Sequence, residues 1–204
     1  MPLFPSLPDP AHLSDLYTRF SHNVAPLMEY TDGVLRAEGE LDIATRELIA
    51  AYVSALNACD FCFQSHLAYA QAFGIAGHIV EGLLTDIDSA DIAPALRPIF
   101  HYVKKLNTLP SRIVEQDARR VLDAGWSEKA LYEAVQVCAL FNMMNRIVEG
   151  CGVNFDYSGQ PEKHPATGQS PQQMQHSYAD YGRRVEAARR QMATDAGQAG
   201  EKKL

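Results

Sequence analysis

The chain has 204 residues, of which 47% are apolar and 21% charged, which excludes a disordered polymer, a collagen-like repeat and a disulfide-stapled miniprotein. With 18 Lys and Arg against 25 Asp and Glu, the net charge is −7. There is no basic footprint for nucleic acid or for an anionic membrane, and neither partner is expected.

In chain order, the opening MPLFPSLPDP has no cationic segment and is interrupted by prolines, so no signal peptide is expected. Leu13 to Phe20 and Ala25 to Arg36 read as two short helices. Asp42 is the expected N-cap of a helix over Ile43 to Leu56, which is apolar nearly all round and therefore expected to be buried. Asn57 interrupts the pattern, and a further helix is expected from Cys59 to Phe73, ended by Gly74. The longest apolar stretch, Leu48 to Phe63, contains Ser54, Asn57 and Asp60 and falls short of the roughly 20 residues of a membrane helix. No membrane partner and a cytoplasmic location are expected. Helices follow at Gly77 to Leu84, at Ala93 to Leu106, and from a Ser111 cap to Gly125. Ser127 caps the longest, Glu128 to Glu149, with Trp126 and Leu131 placed as a hydrophobic staple. Nothing reads as a strand, so the fold class is all-α. After Tyr157 the composition turns polar. We read 1–156 as the helical domain and 157–204 as a polar linker with a C-terminal helical arm over Tyr178 to Met192, its last residues disordered.

The chemistry concentrates at Glu47 and at Cys59-Asp-Phe-Cys62-Phe-Gln-Ser-His66. Cys62 and His66 lie four apart and share a helix face. Cys59 and Cys62 are three apart at a helix start, where the partial positive charge favours a thiolate. Glu47 lies ten residues before Asn57 and His66 nine after it. If the chain reverses there, both sit at similar heights, roughly 15 Å and 13 Å from the turn. A carboxylate on so apolar a helix needs a partner, and His66 is the natural one. Such an arrangement supports thiol redox chemistry: a thiolate attacks a peroxide, and the resulting sulfenic acid condenses with the second thiol. The same four side chains also form a possible zinc set, whereas a c-type haem site is excluded because Phe63 follows the second cysteine.

These residues resemble the alkylhydroperoxidase D / carboxymuconolactone decarboxylase-like superfamily: Glu47, eleven residues, then Cys59-x-x-Cys62-x-x-x-His66, preceded by RELIAAYVSALN. The later LPSRIVEQDARRVLDAGWSEKALYEAVQVCALFNMMNRIVEGCGV is similar to the uncharacterised peroxidase-related branch. The resemblance implies an all-helical, homo-oligomeric bundle. It also implies a cofactor-free hydroperoxidase whose Cys59/Cys62 dithiol is served by a Glu47–His66 proton relay. The implied partners are a hydroperoxide and a thiol reductant such as a lipoyl-bearing protein. The well-studied branch carries a His between its two cysteines, where this chain has Asp60 and Phe61. Proximity to His66 points to Cys62 as the attacking thiol and the helix end points to Cys59, so sequence leaves both open. A carboxymuconolactone decarboxylase-type acid/base enzyme using Glu47 and His66, and a thiol redox sensor, are the competing readings. Of the remaining cysteines, Cys138 reads as core and Cys151 as a bystander thiol. Asn142, Asn145 and Arg146 read as inter-helix hydrogen bonding, with a place beside Cys62 as the alternative. His101 and Tyr102 read equally as pocket border or surface, and His12, His22, His78, His164 and His176 show no constellation.

Overall fold

The computed structural model describes the backbone of residues 1–201 and the side chains of residues 1–195; of the residues after Met192 expected to be disordered, those up to 201 continue a helix and the rest lie outside the described residues. The described residues form nine α-helices and no strand. They are α1 (Leu13–Arg19), α2 (Val24–Arg36), α3 (Ile43–Leu56), α4 (Asp60–Ala72) and α5 (Ile79–Thr85), then α6 (Arg97–Leu106), α7 (Glu115–Asp123), α8 (Glu128–Cys151) and α9 (Ser177–Glu201). The all-α expectation holds.

Helix α3 is the centre of the bundle. Every residue from Thr45 to Ser54 is buried, as expected of a helix with no polar face. It packs along α4 and α8 and also touches α2, α5 and α6. Asp42 begins it by accepting the Thr45 amide at 2.7 Å. The chain then reverses at Asn57–Cys59, where Ala58 takes a left-handed conformation at φ 54°. A set of amides secures this reversal. Asn57 donates to Asn145 of α8 (2.9 Å) and accepts from Asn107 (2.8 Å), while Asn145 donates to Ser54 (3.1 Å). Asn142 extends the set to Asn107 at 2.6 Å. Asn142 and Asn145 therefore serve inter-helix bonding, Arg146 instead donates to Asn142 within α8 (3.0 Å to its side chain), and none of the three lines the cavity that holds Cys62.

Several expected boundaries shift: α5 begins at Ile79 and not Gly77, and α9 runs over Ser177–Glu201 where Tyr178 to Met192 was expected. Helix α7 begins at Glu115 and not at a Ser111 cap, because Val114 is extended and the Asp117 carboxylate accepts its amide at 2.8 Å. The helix expected from Ala93 is split into a 3₁₀ turn at Pro94–Leu96 and α6. Ser127 caps α8 as expected, and Trp126 and Leu131 both pack on the core beside it.

The polar stretch 158–177 is folded onto the bundle. His164, Ala166 and Met174 are buried, the last two against Tyr69 of α4. From there α9 runs along α2. Among the described residues no helix is long and apolar enough to cross a membrane.

Candidate active site

The α3–α4 hairpin brings Glu47 and His66 together, with His66 Nδ1 2.6 Å from Glu47 Oε2. Glu47 is fully buried. Its second oxygen is paired with Arg36 of α2, whose guanidinium is equally buried. Tyr178 of α9 donates to that same oxygen at 3.4 Å. Burial alone would raise the carboxyl pKa, but the Arg36 guanidinium and the His66 ring outweigh it and hold it below the usual range. Glu47 is thus an ionised acceptor inside the protein, and His66 presents Nδ1–H to it. The other ring nitrogen, Nε2, is then the basic one.

Arg36 is held from several sides. Its Nε donates to the Met174 carbonyl at 3.2 Å, and its guanidinium lies over the rings of Tyr178 (4.8 Å), Phe73 (5.1 Å) and Tyr69 (5.2 Å). Burial works against its charge, and Glu47 more than restores it, so its pKa lies above the ordinary value. Arg46, the neighbour of Glu47, donates to the Val34 and Ala37 carbonyls at the C-terminus of α2 at 3.1 and 2.6 Å. Adjacent residues of α3 thus both grip α2, which is why Arg36 arrives at Glu47.

Cys59 is the N-cap of α4, and Cys62 stands in its first turn. All four cysteines are free thiols. A hydrogen bond with Cys62, together with burial, pushes the Cys59 thiol well above the ordinary range. Cys62, His66, Tyr69 and Phe61 of α4 line a cavity of about 300 Å³, while Cys59 does not reach it. Its walls are largely apolar and aromatic, with Phe141 of α8 set edge-on to the His66 ring at 4.3 Å between centroids. The folded tail supplies much of the remaining wall, including Tyr157, Gln173, Tyr178 and Tyr181.

Of the four candidate residues, Glu47 and His66 therefore meet across the α3–α4 hairpin, His66 shares the cavity with Cys62, and Cys59 stands beside Cys62 at the start of α4. Among the described residues, no group of three or more His, Cys, Asp or Glu side chains is arranged to hold a metal ion. Cys138 is buried on α8 and its thiol is pushed up to about 11 by burial. Cys151 is half-buried, and burial raises its thiol too. His101 pairs with Asp88 at the surface (2.9 Å) and lines no part of the cavity.

Sequence reasoning missed Arg36, Tyr178, His12, Tyr157 and His164. The signal for Arg36 was present: a carboxylate on an all-apolar helix asks for a full charge opposite it, which a neutral imidazole cannot supply. His12 and His164 gave no signal, because their partners lie 145 and 99 residues away.

Residues 24–105 match the family model described as the carboxymuconolactone decarboxylase family. The fold is similar to that of an uncharacterized peroxidase-related protein from Silicibacter sp. TM1040, with a TM-score of 0.63 and 21% identity, over 69% of this chain and 73% of that one. It is also similar to an alkylhydroperoxidase AhpD core, an uncharacterized peroxidase-related protein from Ralstonia eutropha JMP134 (TM-score 0.62, 20% identity, 77% of this chain and 93% of that one). No curated protein matches the chain. The resemblance to the alkylhydroperoxidase D / carboxymuconolactone decarboxylase-like superfamily is supported by the family model and by the fold.

Proposed function

We propose that this member of the alkylhydroperoxidase D / carboxymuconolactone decarboxylase-like fold is a thiol-dependent hydroperoxidase working through Cys62, Cys59 and the Glu47–His66 relay. The observation that carries the reading is the placement of the Cys62 thiol and the Glu47-bound His66 imidazole in one apolar cavity. The Cys62 thiol gives its proton to His66 Nε2, and Glu47 stabilises the imidazolium that results. The thiolate attacks the terminal oxygen of the hydroperoxide. The O–O bond breaks, the hydroxyl stays on sulfur as Cys62 sulfenic acid, and the alkoxide leaves as the alcohol after gaining a proton. Cys59, held protonated in the reduced pair by its hydrogen bond and burial, then attacks the Cys62 sulfur and gives up its proton to the departing hydroxyl. The S–O bond breaks, water leaves and a Cys59–Cys62 disulfide forms. A dithiol reductant, a lipoyl-bearing protein in the reading that the resemblance suggests, returns both thiols by exchange. The two functions of the pair divide by access: Cys62 faces the cavity and Cys59 lies behind it.

The test is substitution of each cysteine. Cys62→Ser abolishes peroxide consumption. Cys59→Ser still reduces one equivalent and stops at a sulfenic acid, which a dimedone probe captures. A second reading has its own support, since the Glu47–His66 pair lies inside the segment matching the carboxymuconolactone decarboxylase family and assembles without either thiol. An acid/base activity that survives both serine substitutions would establish that reading in place of ours.

A further inference from the structure

A second hydrogen-bonded pair faces the same cavity. His12 and Tyr157 both line it with Cys62, and His12 Nε2 lies 2.5 Å from the Tyr157 hydroxyl. The proton positions follow from the neighbours. The Ser14 backbone amide donates to His12 Nδ1 at 3.0 Å, so the ring proton of the neutral histidine is on Nε2. Nε2–H then donates to the Tyr157 oxygen, which leaves the phenol's own proton unspent. Other cavity phenols differ: Tyr17 donates to Met144 Sδ (3.7 Å), Tyr178 donates to Glu47 (3.4 Å), and Tyr69, whose ring lies against the Arg36 guanidinium (5.2 Å), has no imidazole bonded to its hydroxyl among the described residues. Tyr181 has no partner and therefore no donor behind its oxygen to hold negative charge.

The pair is fixed to α4 beside Cys62. The Phe61 ring packs against His12 (5.2 Å) and Tyr157 (5.5 Å), and Gln64 accepts the Tyr157 amide at 2.7 Å. We infer that Tyr157 is a catalytic residue of the peroxide cleavage, donating its phenol proton to the oxygen that leaves as Cys62 attacks, with His12 as the positioning residue behind it. The inference rests on the hydroperoxidase reading above. As the O–O bond breaks, the leaving alkoxide takes the Tyr157 proton and departs as the alcohol. The His12 N–H holds the phenolate until it regains a proton from His66, the one released by Cys62. The sum is Cys62–SH plus ROOH giving Cys62–SOH plus ROH. Burial suits both groups to these roles, raising the phenol so that it stays protonated and lowering the imidazole so that it stays neutral.

Tyr157→Phe tests this with three reagents on the reduced protein, followed by loss of the Cys62 thiol. Cumene hydroperoxide releases a strongly basic alkoxide and should react about 100-fold more slowly, the effect of removing one donor from a developing oxyanion. Peracetic acid releases acetate, which needs no proton, and should be slowed far less. Iodoacetamide alkylation reports thiolate formation alone and should be unchanged. Equal slowing with all three reagents would overturn the inference by making Tyr157 a structural residue, and no slowing with cumene hydroperoxide would remove it from the site. Wild-type protein that is alkylated but ignores both peroxides would instead overturn the hydroperoxidase reading, and this inference with it.

Discussion

Glu47 has three partners where a side chain count from sequence suggested one. Arg36 decides its charge, because burial opposes ionisation and the guanidinium is the full cation that outweighs it. Arg36→Met leaves a buried carboxylate facing the His66 ring and the Tyr178 hydroxyl but no guanidinium. The expected cost is about 3–5 kcal/mol in urea unfolding. Adding Glu47→Gln to that variant recovers a large part of the loss, since it removes the stranded charge; a purely additive double variant would contradict the coupling. The Glu47–His66 contact was legible because both ends lie on one hairpin, equidistant from a recognisable turn. Arg36 sits on another helix, and its approach depends on how Arg46 fixes the end of α2, which no local pattern encodes. That Cys62 lines the cavity and Cys59 does not was likewise beyond sequence, because it depends on how α4 packs.

At the scale of elements, α3, α4 and α8 were predicted almost to the residue: α3 by its Asp42 cap and apolar surface, α4 by the breaks at Asn57 and Gly74, α8 by its Ser127 cap. These signals are local, which is why they survive folding. The packing of α9 on α2 is not local. It depends on Gly182, where an added Cβ would lie 2.7 Å from the Met28 Cβ and 3.2 Å from the Ala25 backbone. Gly182→Ala should therefore lift α9 from α2 and cost about 1–3 kcal/mol as an overpacked contact, despite the better helix propensity of alanine. Thermal unfolding measures this; a stabilised variant would mean that α9 does not sit this close. Because Tyr178 is on α9, the same variant should also loosen the Glu47 site and lower the rate of Cys62 oxidation.

For the whole molecule, the tail after Tyr157 turns an open helical bundle into a closed site. Its polar composition was read as a linker, and only a few of its residues, His164, Ala166 and Met174 among them, carry the burial that seals it. Burial above all lowers the His164 pKa from 6.5 to about 4, and repulsion from His66, where that ring is protonated, acts in the same direction. The Ala166 amide donates to its Nδ1 (3.1 Å), so the neutral ring offers Nε2–H to Ser65 at 3.0 Å. The folded protein resists protonation there more than the unfolded chain does. Stability from this group is complete above about pH 6.5 and is lost as pH falls toward 4. At about 1.4 kcal/mol per pKa unit, the loss is roughly 3 kcal/mol. His164→Gln should flatten that part of the curve when melting temperatures are compared between pH 7.5 and 4.5; an unchanged slope would place the acid sensitivity elsewhere. The measurement that bears most directly on the account is a free-thiol titration of reduced protein before and after one equivalent of an organic hydroperoxide, with the disulfide mapped by mass spectrometry. The account predicts rapid loss of two thiols, mapped to Cys59 and Cys62. No loss, or oxidation confined to Cys138 or Cys151, would contradict it.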